Sequence, residues 1–237
     1  MAFPIYLAMT GAELSAAPCN PYGYGVMACC FSSRNSGIGH LPEALPNDSV
    51  LLLNDRIPYD GHEIFLIGSQ LAQYCERENP KAVLLDFQRP YTPCLQELTT
   101  HLRACLSVPV VSPPSYCDNG AVFLPPVPTN KSPEKVLAPW KGREIWLELA
   151  FLGQQFSVTE TGCSITSLSS PLKNAPFYDH KAFCHYHIEE SEDGVLFRLH
   201  RTQEDYILFL QEAAKTGVCG AIGLFQEYSL CRAHTFK

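Results

Sequence analysis

The chain lacks the features that define several large functional classes. Nowhere do about 18 apolar residues follow one another, the length a helix needs to cross a bilayer. The start, Met1-Ala-Phe-Pro-Ile-Tyr-Leu-Ala-Met-Thr10, carries no charged segment ahead of a long apolar run, so neither a membrane span nor a signal peptide is expected. No stripe of Lys and Arg is present, and 17 basic against 24 acidic residues leave a net charge of -7. That balance argues against nucleic acid as a partner, because binding it requires clustered cations to displace counterions from phosphates. No G-x-G-x-x-G or G-x-x-x-x-G-K follows an apolar run, so no nucleotide cofactor is expected. Internal repeats and low-complexity tracts are absent as well.

Cysteine is plentiful, but its pattern excludes more than it suggests. The count of eleven is odd, and no C-x-x-C occurs. Adjacent Cys29 and Cys30 read as strand filler, since a free thiol packs as a small hydrophobe. A reducing, cytoplasmic setting fits this usage. The nearest approach to a ligand cluster is Cys184-His185-Tyr186-His187. Alternation along a strand sends the two histidines to one face and Cys184 with Tyr186 to the other, so a half-exposed strand is expected and no metal. No Cys carries the local signature of a nucleophile.

What is present is a chain of 237 residues with 46% hydrophobic content, enough for one sizeable core and read as a single domain over 1–237. Eight apolar runs qualify as strands: 5–10, 26–32, 49–57, 82–88, 108–112, 121–124, 144–151 and 220–228. Helical spacing of apolar residues marks 63–78, 92–106 and 203–216. Thr202 is a candidate N-cap for the last and Gly217 its stop. Strands alternating with crossovers specify an α/β fold, and eight strands close an irregular (β/α)8 TIM-type barrel. Cys19–Gly25 reads as a Pro/Gly/Tyr loop. Residues 152–201 break the alternation with period-two patterns around Asp193-Gly194, and are expected to form an inserted antiparallel flap of two hairpins.

In a TIM barrel, functional groups come from the carboxyl ends of the strands. The run Lys81-Ala-Val-Leu-Leu-Asp-Phe-Gln-Arg-Pro90 delivers Asp86 and Gln88 there on one face, with Leu85 and Phe87 on the other. A charge at the end of so apolar a strand must be solvated or paired. Other strand ends offer Asn54, Asp55, Arg56, Arg89, Gln226 and Glu227. Asp55 and Arg56 read equally well as a salt bridge tying a loop. Along 144–151, Leu147, Leu149 and Phe151 form an apolar face, which leaves Trp146 and Glu148 on the interior side. Trp146 and Phe225 are the candidate platforms for stacking on a ring.

The Lys81–Pro90 segment resembles the fourth-strand signature D-G-x-D-x-D-x-E of the chitinase-like glycoside hydrolases of family 18. Aligned on its end, Ala82 stands on the Gly, Leu84 on the middle Asp, Asp86 on the last Asp, Phe87 on the aromatic and Gln88 on the general acid. The order of strand, helix and signature strand over 49–88 is similar too, and Gly220-Ala-Ile-Gly-Leu-Phe-Gln-Glu-Tyr-Ser229 is similar to the family's closing strand, with Phe225 where a Trp is common. No Tyr-Asp pair is recognisable on the sixth strand. The resemblance implies a TIM barrel that binds a carbohydrate or related polar ligand. It implies also a missing proton donor, because an amide cannot supply one.

Three functions follow as expectations. The first is a glycoside-hydrolase-like, sugar-binding barrel without the usual acid, a pseudoenzyme, in which Asp86 and Gln88 hold the ligand with Asn54, Asp55, Arg56, Arg89, Trp146, Phe225 and Gln226. The second is an active glycosidase pairing Asp86 with Glu148 or Glu227, which requires carboxyls roughly 5 Å apart for retention or about 6.5–9.5 Å for inversion. The third is a non-catalytic interaction protein that uses the flap.

Overall fold

The computed structural model describes residues 3–16, 22–32, 37–170, 172 and 175–235. The chain divides into two compact units, one of Ile5–Leu124 with Arg143–Trp146, the other of Met1–Pro4, Pro125–Gly142 and Leu147–Lys237. Parallel strands alternating with helices place it in the α/β class as an irregular TIM-type barrel, with an antiparallel sheet inserted.

The first unit contains β1 (Ile5–Met9), α1 (Gly11–Ala16), β2 (Gly23–Phe31), β3 (Ile38–His40), β4 (Ser49–Asn54), α2 (Ile64–Glu78), β5 (Ala82–Asp86), α3 (Pro93–Cys105), β6 (Val110–Val111) and β7 (Val122–Leu124). Its strands run β6-β5-β4-β2-β1, parallel throughout. Residues Val50–Leu53 and Ala82–Leu85 are all buried. Strands covered on both faces need apolar side chains at successive positions, which is why these two read as unbroken runs. Short β3 pairs antiparallel with β2 across an irregularity at Cys30/Phe31, and nothing in three residues announces it as a strand. The loop expected at Cys19–Gly25 is partly β2, which starts at Gly23; its first residues lie outside those described.

The helices of this unit bury one stripe each. Ile67, Leu71, Tyr74 and Cys75 of α2 and Leu95, Leu98 and Leu102 of α3 join Leu51, Leu53, Val83, Leu85 and Phe87 in one core. Each fully buried Leu contributes roughly 1.5–3 kcal/mol. Thr92 caps α3, its hydroxyl accepting from the Leu95 amide at 3.2 Å with Pro93 next to it. Asn79 ends α2 in the left-handed conformation, φ 49°, its N–H bonded to Cys75 O; Pro80 then prevents continuation.

The second unit contains α4 (Pro133–Leu137), the end of β8 (Ile145–Leu149), β9 (Gln154–Thr159), β10 (Gly162–Ser167), β11 (Phe177–Asp179), β12 (Cys184–Ser191), β13 (Gly194–His200), α5 (Gln203–Ala214), β14 (Val218–Leu224) and α6 (Phe225–Thr235). Strands β9–β13 form the antiparallel sheet expected of the insertion, in the order β10-β9-β13-β12-β11. Phe156, Ala182, Cys184 and Leu199 make its small core. The β12/β13 turn is Glu192-Asp193, since Ser191 faces Gly194. Gly194 is therefore a strand residue, at φ 150°. A Cβ there would run into the Val158 carbonyl oxygen, so the glycine serves close strand approach rather than the turn itself. Helix α5 begins with a capping box: the Thr202 N–H and hydroxyl both donate to Asp205 Oδ2 at 2.8 Å, and Asp205 N donates back to the Thr202 hydroxyl at 3.2 Å.

One expectation is corrected here. The last strand does not run to Tyr228: β14 ends at Leu224, and Phe225 opens α6. Phe-Gln-Glu-Tyr-Ser-Leu-Cys-Arg lacks the β-branched residues that favour a strand, and Glu227 in the first turn complements the positive end of the helix dipole.

His185 of β12 and His200 of β13 face each other across the hairpin, their rings 5.8 Å apart, and His185 Nε2 lies 3.5 Å from Asp205 Oδ2. His200 is 9% exposed and its Nδ1 is buried without a partner. Burial draws its pKa below the ordinary imidazole value, the neighbouring His185 and His187 reinforce this, and Asp205 opposes it. A depressed base takes up its proton later in the folded chain than in the unfolded one. Its contribution to stability is therefore complete above the unfolded pKa of about 6.5 and is lost as pH falls below it, by up to about 1.4 kcal/mol per unit. Thermal melts between pH 8 and pH 5 should show a smaller loss of midpoint for His200→Asn than for the parent chain; equal slopes would show that His200 does not bear the proton-linked cost.

Candidate functional site

In the first unit, β4 and β5 pair so that Asn54 and Asp86, the last residue of each, stand opposite one another. This brings Asn54, Asp55, Arg56, Asp86, Gln88 and Arg89 together at one sheet edge. Alternation holds, for Asp86 and Gln88 share a side and Gln88 Nε2 donates to Asp86 Oδ1 at 3.0 Å. Phe87 points the other way into the helix-packed core, 7% exposed. Burial raises the pKa of the Asp86 carboxyl; the Gln88 hydrogen bond counters it, nearby Asp55 adds to it and Arg56 lowers it.

Three of the other candidates spend their polar groups on the scaffold. Asp55 is buried, and its carboxylate accepts from Gln88 N at 3.0 Å and Arg89 N at 2.9 Å. A tie on the loop was one reading of Asp55, and the partners it ties are main-chain amides of the next strand's exit. Arg89 returns the contact, with Nε donating to Asp55 O and Nη2 to Arg56 O, both at 2.8 Å. Asn54 donates to Cys29 O at 2.9 Å and accepts from Arg56 N at 3.2 Å. Asp86 at intermediate exposure, with Gln88 and Arg56 exposed, are left as the groups presented outward.

Trp146, the second residue of β8, is placed elsewhere. It stacks on Tyr6 of β1 with ring centroids 5.6 Å apart and 19° between planes, and is 8% exposed. Tyr6 pairs with Gly23, the first residue of β2, and a Cβ on Gly23 would sit 2.5 Å from the Tyr6 ring. The stack thus belongs near the start of the strands, whereas Asn54 and Asp86 end theirs.

Glu148, Phe225, Gln226 and Glu227 belong to the second unit and are described with it. Glu148 sits at intermediate exposure near the end of β8. Glu227, in the first turn of α6, accepts from Phe151 N at 2.8 Å. Burial raises its pKa against the pull of the Phe151 and Leu152 amides. Its carboxylate holds the exit of β8 in place, much as Asp55 holds that of β5. Phe225 is partly buried and Gln226 exposed. A cross-strand pair that the sequence reading missed is His185 with His200; the two-residue turn at 192–193 fixes that register and was the available signal. Among the described residues no helix is long and apolar enough to cross a membrane, and no group of three or more His, Cys, Asp or Glu side chains could hold a metal.

No protein-family model and no curated protein sequence matches the chain. Solved structures do. A family GH18 chitinase mutant from Cycas revoluta, in complex with (GlcNAc)4, aligns over 94% of this chain and 95% of its own at 10% identity and a TM-score of 0.58. The chitinase-like agglutinin RobpsCRA from Robinia pseudoacacia aligns over 98% of both chains at 9% identity and 0.58. The spore cortex-lytic enzyme SleL of Bacillus cereus aligns over 97% of this chain and 74% of its own at 9% identity and 0.52. These likenesses show the fold, a TIM-type barrel, which is the fold that the signature segment implied.

Replacing Asp55 by Ala would strand two amides at the end of β5. An unsatisfied buried donor costs about 1–3 kcal/mol, and these amides are only partly buried, so Asp55→Ala should lower unfolding free energy by about 1–2 kcal/mol in urea titrations, and Asp55→Asn, which keeps one acceptor oxygen, by less. A change within error for Asp55→Ala would show that the clamp does not carry the loop.

Proposed function

We propose that this protein binds a carbohydrate, or a closely related polyol, at the edge formed by Asp86, Gln88 and Arg56, and that it does so without hydrolysing the ligand through an acid at position 88. The observation that carries the reading is the Asp86–Gln88 pair itself. A half-buried carboxylate whose one oxygen is fixed by an amide offers its remaining acceptor sites to hydroxyl donors, and an amide beside it can donate and accept but cannot give up a proton at neutral pH. Such a pair recognises hydroxyls and lacks the acid step of glycoside cleavage. Structures of similar fold include a chitinase complexed with (GlcNAc)4 and an agglutinin, which supports a sugar as ligand.

Arg56, exposed beside the pair, extends the polar edge. A cytoplasmic location belongs to the same proposal, on the odd count of eleven cysteines and the lack of any C-x-x-C pair in the sequence.

The test is a thermal-shift and calorimetric screen against soluble chitin, cellulose, xylan and peptidoglycan fragments, since a ligand that binds the native state alone raises its melting temperature. A hydrogen bond to a charged group is worth about 1.5–3 kcal/mol, so a sugar that binds the parent chain should bind Asp86→Ala about 10- to 100-fold more weakly. Parallel assays should find no release of reducing ends by the parent and measurable release by Gln88→Glu. Absence of any ligand among these glycans would overturn the binding reading, and hydrolysis by the unaltered chain would overturn the non-catalytic one.

A further inference from the structure

Strand β10 forms one edge of the antiparallel sheet, and the usual protections of an edge are missing from it. Gly162-Cys-Ser-Ile-Thr-Ser167 contains no charge and no proline, and all six residues are exposed. Its pairing with β9 runs through all six residues without a register shift. Edges are normally blunted by Lys, Pro, a bulge or a covering segment, because their unpaired amides and carbonyls otherwise template a further strand.

The ladder shows which groups are left open. Leu168 N donates to Gly153 O at 3.1 Å, which makes those residues a hydrogen-bonded pair in line with the β9/β10 register. Bonded pairs recur at every second position in an antiparallel ladder, so Thr166, Ser164 and Gly162 also bond toward β9. Cys163, Ile165 and Ser167 therefore direct their N–H and C=O groups to the open edge. Directly opposed residues share a face, and Ile165 lies in a row with Phe156, Phe197 and Ile188. Ile165 is 53% exposed, Ile188 46% and Val158 42%. The positions with open backbone groups are thus the ones whose side chains lie on the apolar face.

We propose that two copies of this chain join edge to edge through β10, antiparallel about a twofold axis at Ile165. In that register Ile165 opposes Ile165 of the second copy and Cys163 opposes Ser167, each pair exchanging N–H and C=O bonds. The row Ile188, Phe197, Phe156, Ile165 then continues unbroken into the second copy. A register displaced by one residue sets open groups against groups already spent on β9, so backbone pairing and apolar continuity select the same arrangement. A segment that meets itself is the requirement of a twofold contact. The absence of charge on the strand lets two copies of a chain of net charge -7 meet there without like charges opposed across the pair.

Edge pairing covers less than the roughly 1,600 Å² of a standard stable interface, so association is expected to rise with concentration rather than to be complete. Sedimentation velocity across a concentration series should show the parent chain moving from monomer to dimer mass. Ile165→Pro removes an N–H that takes no part in the β9 ladder, a placement proline tolerates on an edge, and Ile165→Lys sets like charges on the axis. Both should lower the association constant at least tenfold with little change in melting midpoint; if the proline variant does not fold, the lysine variant carries the test. A parent chain that stays monomeric throughout, including one that takes up only an extended peptide from another protein, overturns the proposal, as does a dimer that survives both substitutions.

Discussion

The exit of β5 depends on one buried anion. After Asp86 the chain must send Phe87 into the core between the helices and return Gln88 to the surface, and that reversal leaves the amides of Gln88 and Arg89 without sheet partners. Asp55, at the exit of the neighbouring strand, accepts from both. A buried carboxylate is tolerable because main-chain donors replace its hydration, and charge-assisted bonds of this kind are stronger than neutral ones. Arg89 then closes the arrangement on the carbonyls of Asp55 and Arg56. The orientation of the Gln88 side chain toward Asp86 is downstream of this contact, so the outward-facing pair has a defined geometry only because a residue behind it gives up any outward role.

This division between scaffold and surface bears on how the polar edge can act. Of the six candidates gathered there, Asn54, Asp55 and Arg89 hold one strand exit to another, and Asp86, Gln88 and Arg56 face outward. In the second unit Glu227 has the same kind of duty at Phe151. A count of carboxylates near strand ends therefore overstates the chemistry available: of Asp55, Asp86, Glu148 and Glu227, Asp55 and Glu227 are engaged in holding backbone. A barrel fold supports many activities, and which one it performs is decided at the site rather than by the architecture.

The elements legible in the sequence were those whose pattern is local. Val50–Leu53 and Ala82–Leu85 announce buried parallel strands by composition alone, and Thr202 announces a helix start. The pairing of Asp86 with Gln88 follows from period-two alternation over three residues. What was illegible depends on register between distant segments. Asp55 could be recognised as a clamp only once β4 and β5 were aligned to place Asn54 beside Asp86. Trp146 reads as a platform until Tyr6 is seen to occupy its face near the start of the strands. The end of β14 was misjudged because Phe225–Tyr228 follows Gly220–Leu224 with no Gly or Pro at the junction, and the absence of β-branching after Leu224 together with Glu227 in the first turn is what distinguishes helix from strand. Asp193-Gly194 signalled the right hairpin one residue late, the glycine being needed for contact with β9.

The Tyr6–Trp146 stack also has an optical meaning. The chain has two tryptophans, and they fall one in each compact unit: Trp146 with Ile5–Leu124, Trp140 within Pro125–Gly142. The indole of Trp146 is dry and face-to-face with a phenol, so its emission will be blue-shifted and quenched relative to the less buried Trp140. Each unit thus carries its own intrinsic chromophore, and the two spectral components can be followed separately to establish whether the units melt as one cooperative body or in succession.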